Sequence, residues 1–144
     1  MNHSTTSIDP PEGFVDMFDN EPFESLIGPI LYRDADGKRV GGFRVEPKHA
    51  NTWNIVHGGM LTAFADSALT GIDFHGRDGT EEGVVTVTLN CEFVGPAHVG
   101  EWIECHGDTV RRGKSMVFMQ GRLTVGERVI MTCSTVLKRV PRSA

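Results

Sequence analysis

The chain has 144 residues, of which 39% are hydrophobic and 23% charged, and a formal net charge of -5. That composition fits one globular domain with a sizeable core, and the acidic balance excludes the broad basic field that nucleic-acid binding requires. No run is long and apolar enough to span a bilayer, and the start MNHSTTSIDPPEG lacks the basic and apolar regions of a secretion signal. Cys91, Cys105 and Cys133 form no CxxC pair, so they read as reduced thiols of a cytoplasmic protein.

Residues 1–13 are polar, carry Pro10, Pro11 and Gly13, and read as a flexible arm before a single domain over 14–144. Apolar residues from Phe14 to Ile27 suggest a helix that breaks or restarts near Pro22. Two strand-like runs, 29–33 and 39–45, flank Asp34-Ala35-Asp36-Gly37, where the Asp-Gly pair predicts a hairpin. A loop over 46–58 leads into a helix that begins near Gly59 or Met60. Its apolar positions Leu61, Phe64, Ala65, Ala68 and Ile72 follow the spacing of one buried stripe.

The remainder reads as strands. Val85, Val87, Leu89, Cys91 and Phe93 alternate with Thr86, Thr88, Asn90 and Glu92, the period of a half-buried strand. Further runs cover 101–110, 116–125 and 128–137, parted by the turns Arg112-Gly113-Lys114 and Gly126-Glu127. Short turns between consecutive strands require antiparallel pairing, so the class is α+β. Trp102 and the cluster of Met116, Phe118 and Met119 read as core.

Chemistry concentrates at the mouth of the helix. In Val56-His57-Gly58-Gly59 the two glycines leave the backbone uncovered, and the first N–H groups of a helix have no intrahelical partner. Such groups can stabilise the oxyanion formed when a carbonyl or thioester is attacked. The plainer alternative is a tight turn with a structural histidine. Asp66 is a carboxylate inside an otherwise apolar helix, roughly 140° from the centre of its apolar stripe, with Thr70 one turn further on. Both therefore read as facing away from the sheet. Gly58 and Asp66 are about 12 Å apart along a helix, too far for one thioester carbon to touch both. Either they act separately, or Asp66 meets the Gly58 of a second, antiparallel chain in a twofold dimer.

The spacing Asn51-x5-His57-Gly58-Gly59-x6-Asp66, followed by Val84-Val85-Thr86-Val87-Thr88-Leu89-Asn90, resembles the hot-dog-fold acyl-CoA thioesterases, in particular the PaaI-like family named for phenylacetic acid degradation. The resemblance covers about residues 28–139 and implies one long central helix wrapped by an antiparallel sheet of five to six strands. It also implies hydrolysis of an acyl-CoA to free acid and CoA, with no cofactor beyond the CoA of the substrate. The implied catalytic residues are Asn51, His57, Gly58, Asp66 and Thr86. The Gly58 N–H polarises the thioester carbonyl, and His57 holds the turn. Asp66 of the opposite subunit acts as nucleophile or general base. Asn51 orients substrate or water, and Thr86 stands where the family often has a serine. Gly59 and Thr70 are implied as substrate-binding, and the implied assembly is a dimer or a dimer of dimers.

The segment Gly107 to Ser115 has five residues between its glycines where a phosphate loop needs four, and a strand-like run follows it instead of a helix, so it is no P-loop. In hot-dog thioesterases the corresponding turn often meets the CoA phosphates, which marks Arg112, Gly113, Lys114 and Ser115 as substrate-binding; a solvated hairpin is the alternative. His49, His75, His98 and His106 lack metal-ligand spacing, and no metal is expected. Two rival functions stay open: a hot-dog enoyl-CoA hydratase or dehydratase, and a non-catalytic acyl-CoA binder. No nucleic-acid or membrane partner is expected.

Overall fold

The computed structural model describes residues 9–18, 21–79 and 81–141, without the side chains of 81 and 82. The order of elements is α1 (Pro22–Ile27), β1 (Leu31–Ala35), β2 (Lys38–Arg44), a 3₁₀ turn (Pro47–His49), α2 (Gly58–His75), β3 (Glu81–Phe93), β4 (Trp102–Arg112), β5 (Met116–Val125) and β6 (Arg128–Pro141). The six strands form one antiparallel sheet in the order β1-β2-β4-β5-β6-β3. The 18-residue helix α2 packs along this sheet. This is the hot-dog architecture, with a sheet that remains open at both edges.

The predicted stripe carries the packing. Leu61, Phe64, Ala65 and Ala68 of the stripe, and Leu69 beside it, are buried with Phe43, Ile103, Val117, Leu123, Met131 and Leu137 of the sheet, and Ile72 is partly buried against them. Close approach needs small residues at two contacts. A Cβ on Gly71 would stand 2.6 Å from the Tyr32 ring, and one on Gly107 would stand 2.7 Å from Leu69 Cδ2. The β1–β2 hairpin turns at Asp36 and Gly37 with φ of 54° and 74°, the left-handed pair that an Asp-Gly hairpin adopts.

Three expectations need correction. Helix forms only from Pro22 to Ile27, whereas Val15 pairs as an extended residue with Tyr32, exchanging backbone hydrogen bonds of 2.9 Å each way. The apolar side chains before Pro22 are used one by one instead of along a helical face. Phe14 packs edge-on against Trp102, and Phe18 against Tyr32 and Phe74. The restart expected near Pro22 is where α1 begins, and residues 19 and 20 lie outside the described set. Of the cluster expected in the core, Met119 is buried, while Phe118 projects from the outer face of the sheet.

The third correction concerns β3. Its alternation does not run as one phase, because the register against β6 shifts between Thr86 and Thr88, leaving Val87 as a bulge. An extra residue reverses which face each side chain meets. Val84 and Thr86 therefore point inward before the bulge, and Leu89 and Cys91 point inward after it. Val85 and Val87 are left 56% and 52% exposed.

Candidate active site

The loop before α2 is held by its own polar groups. Buried His49 accepts a hydrogen bond from the Glu46 N–H at Nδ1 (2.9 Å), and its Nε2 lies 2.5 Å from the Ile27 carbonyl. The His49 carbonyl in turn accepts from the His57 N–H at 2.7 Å. Asn51 Oδ1 accepts from the N–H groups of Trp53 (2.9 Å) and Ile55 (3.3 Å), an Asx-type turn. That carbonyl is committed to the loop, so the Asn51 amide NH2 is the end left to donate.

His57 is the N-cap of α2, with φ and ψ of -65° and 136°, and its Nδ1 accepts from the Gly59 N–H at 2.8 Å. The imidazole thus satisfies one of the orphan donors of the first turn and fixes where the helix starts. The Gly58 carbonyl accepts from Thr62 Oγ1 at 2.9 Å. A Cβ on Gly58 would sit 3.4 Å from the Phe93 ring, so the end of β3 flanks the helix mouth. Backbone donors at the positive end of an 18-residue helix are thereby presented beside the open strand.

Further along the same side, Thr86 Oγ1 donates to Asp66 Oδ1 at 2.7 Å. Asp66 therefore does not face away from the sheet: it reaches the edge strand of its own chain, because α2 lies near enough to β3 for a position off the apolar stripe to meet it. The bulge at Val87 makes this possible by turning Thr86, not Val85, toward the helix. Cys91 shares the neighbourhood; burial raises its thiol pKa, opposed by a hydrogen bond with Thr62, while the charges of Glu92 and Asp66 raise it further. Sequence reasoning missed Thr62, Cys91 and Phe93 as neighbours of the site. For Cys91 and Phe93 this becomes visible only once the phase of β3 is known, whereas Thr62, four residues after Gly58, was legible from helix spacing.

The remaining predicted residues lie elsewhere. Thr70 lines a cavity of about 300 Å³ with Phe18, Tyr32, Ser67 and Phe74, away from the Asp66–Thr86 pair. Within that cavity burial raises the pKa of Glu24, despite a hydrogen bond with Ser67 that lowers it. Gly59 lines a second groove of about 310 Å³, together with His57, Phe23, Leu26, Met60 and Ala63. Gly113 donates its N–H to the Met116 carbonyl (2.7 Å) at the tip of the β4–β5 hairpin, where Lys114 and Ser115 are exposed. Arg112 instead turns inward: its Nη2 bonds the carboxylate of fully buried Asp73, and the Asp73 carbonyl at 3.3 Å. Among the described residues no three His, Cys, Asp or Glu side chains are grouped to hold a metal ion, and no helix is long and apolar enough to cross a membrane.

The comparisons with known proteins bear on the family and the fold. The Thioesterase superfamily profile matches residues 54–132. "Putative esterase PA0474" of Pseudomonas aeruginosa is 37% identical over 127 residues, spanning 88% of this chain and 94% of that protein. Acyl-coenzyme A thioesterase 13 of Homo sapiens is 31% identical over 105 residues, 71% of this chain and 72% of its own. Among solved structures, a mutant of the phenylacetic acid degradation protein PaaI from Thermus thermophilus superposes with a TM-score of 0.71 at 20% identity, covering 83% of this chain and all of that one. With the profile running from the loop before α2 into β6, the chain belongs to the Thioesterase superfamily and is a thioesterase of hot-dog fold.

Proposed function

We propose that the chain hydrolyses acyl-CoA thioesters to the free acid and CoA, at two composite sites of a cytoplasmic homodimer, itself able to pair into a tetramer. The observation that carries this is the Thr86–Asp66 hydrogen bond of 2.7 Å beside an unpaired edge strand, with a glycine-lined helix mouth along the same side. Gly58 and Asp66 stay about 12 Å apart on α2, so one chain cannot bring both to one carbon. A second chain paired antiparallel along β3 places its Asp66 opposite the first chain's Gly58.

In this site the Gly58 N–H receives the developing oxyanion. Asp66 of the partner subunit attacks the thioester carbon or removes a proton from water, with Thr86 holding the carboxylate's orientation. His57 fixes the helix start, and the Asn51 amide NH2 orients substrate or water. The acyl group lies in the groove between α1 and the first turns of α2, against Phe23, Leu26, Met60 and Ala63, where Gly59 lines the wall. The β4–β5 turn meets the CoA phosphates through Gly113, Lys114 and Ser115, with Arg112 held behind it by Asp73. Thr70 remains a substrate contact only if the acyl or pantetheine chain crosses to its side of α2.

The test is thiol release from a panel of acyl-CoAs. Asp66→Asn should lower kcat on the best substrate by at least about a hundredfold while the thermal unfolding curve stays close to that of the parent protein. Full activity in that variant would sink the assigned chemistry. Water addition to an enoyl-CoA without thiol release would favour the hydratase instead.

A further inference from the structure

We propose that Arg139 is a positioning residue that sets the β4–β5 turn for the nucleotide phosphates of CoA, although it never touches them. This rests on the acyl-CoA reading of the site. Arg139 lies on β6, and its side chain is only 12% exposed. Its backbone N–H donates to the Ser115 carbonyl at 2.8 Å, and its Nη1 donates to the Gly113 carbonyl at 2.9 Å. Its Nη2 reaches both carboxylate oxygens of Asp78 at 3.2 Å, just beyond the end of α2.

These contacts decide how the turn presents itself. A phosphate is repelled by carbonyl oxygens and attracted by N–H groups and cations. Arg139 draws the carbonyls of Gly113 and Ser115 inward. In a trans peptide the N–H points opposite to the carbonyl, so the Lys114 N–H is directed outward. The neighbouring arginines follow the same division. Arg112 and Arg77 are held on buried Asp73, Arg77 through its Nε at 3.0 Å, whereas Arg111, Lys114 and Ser115 are exposed. The inner arginines make a rigid base, and the outer groups make the anion-binding face. Arg111, at the start of that basic turn, joins Lys114 there.

The experiment is calorimetric titration of free CoA and of pantetheine, which lacks the nucleotide. The proteins are the full chain, Arg139→Lys, Asp78→Asn and Lys114→Ala. Arg139→Lys should weaken CoA binding about tenfold, and Asp78→Asn about threefold, with pantetheine binding unchanged in both. Because Arg139 acts through the backbone of the turn, which Lys114→Ala leaves in place, its loss of CoA affinity should persist in a Lys114→Ala background while pantetheine binding stays unchanged, a split that a merely structural role would not produce. Unchanged CoA affinity, an equal loss for pantetheine, or a parent protein without affinity for CoA would each overturn the proposal. Asp78→Asn carries the test if Arg139→Lys does not fold. A parent protein that binds CoA but releases none from acyl-CoAs sinks the hydrolytic reading alone.

Discussion

The two edges of the sheet are built differently. At one edge β1 is five residues long, pairs with Val15, and is flanked by the segment that carries Phe14 onto Trp102. The Arg44 guanidinium stacks over Trp102 and also donates to the Asp9 carbonyl, pinning the described end of the N-terminal arm. At the other edge β3 is 13 residues long, and Val85, Val87 and Phe93 are more than half exposed. A short, covered edge resists pairing, while a long apolar one invites it. In the proposed dimer β3 is the edge that would take the second copy, and it is also the edge that carries Thr86 and faces Gly58.

The largest effect should follow from closing the open edge. Lysines at both Val85 and Val87 should turn the oligomer into a monomer by light scattering and cut thiol release at least about a hundredfold, since the composite site is lost. A fully active monomer would refute the two-chain site. Next in size, Thr86→Val should lower kcat about tenfold and Thr86→Ser far less, as expected for a hydrogen bond to a charged group. Steady-state kinetics on the same acyl-CoA decides between them.

The covered edge should answer in stability instead. Val15→Pro removes the N–H that bonds the Tyr32 carbonyl, and should cost about 1 kcal/mol in denaturant unfolding with activity retained. The smallest effect lies at Asp34 on β1, whose pKa is lowered by its hydrogen bond from Arg39, against a burial contribution that raises it. Its folded value lies below the unfolded one, so its stabilisation is present above the unfolded pKa and is lost as pH falls through the folded value. Asp34→Asn should therefore flatten the acid limb of the stability curve slightly, the carboxylate being partly screened by solvent.

Where periodicity and turn chemistry act locally, they carried the sequence reading: the stripe of α2, the Asp36-Gly37 hairpin and the last three strands all appear where pattern predicts them. The misreadings come from tertiary context. Phe14, Met17 and Phe18 look helical in spacing, yet Val15 finds a backbone partner in Tyr32, which no local pattern encodes. Arg112 looks like a phosphate ligand beside Gly113, but a buried carboxylate 39 residues earlier claims it. Asp73 gave a signal, as a carboxylate inside an apolar helix, the same oddity that drew attention to Asp66. The motif from Asn51 to Asp66 was legible as residues, though not the contact with Thr86, which depends on the register of β3.

Across Gly83 to Phe93 that register shifts once, at Val87. Removing this one codon would restore an unbroken zigzag with Thr86 still turned toward the helix and Val85 still outward, because the residue lost is the extra one. The strand from Leu89 onward would keep its place. Loss of this single interior residue should thus leave a folded, well-paired protein whose carboxylate keeps its hydroxyl neighbour.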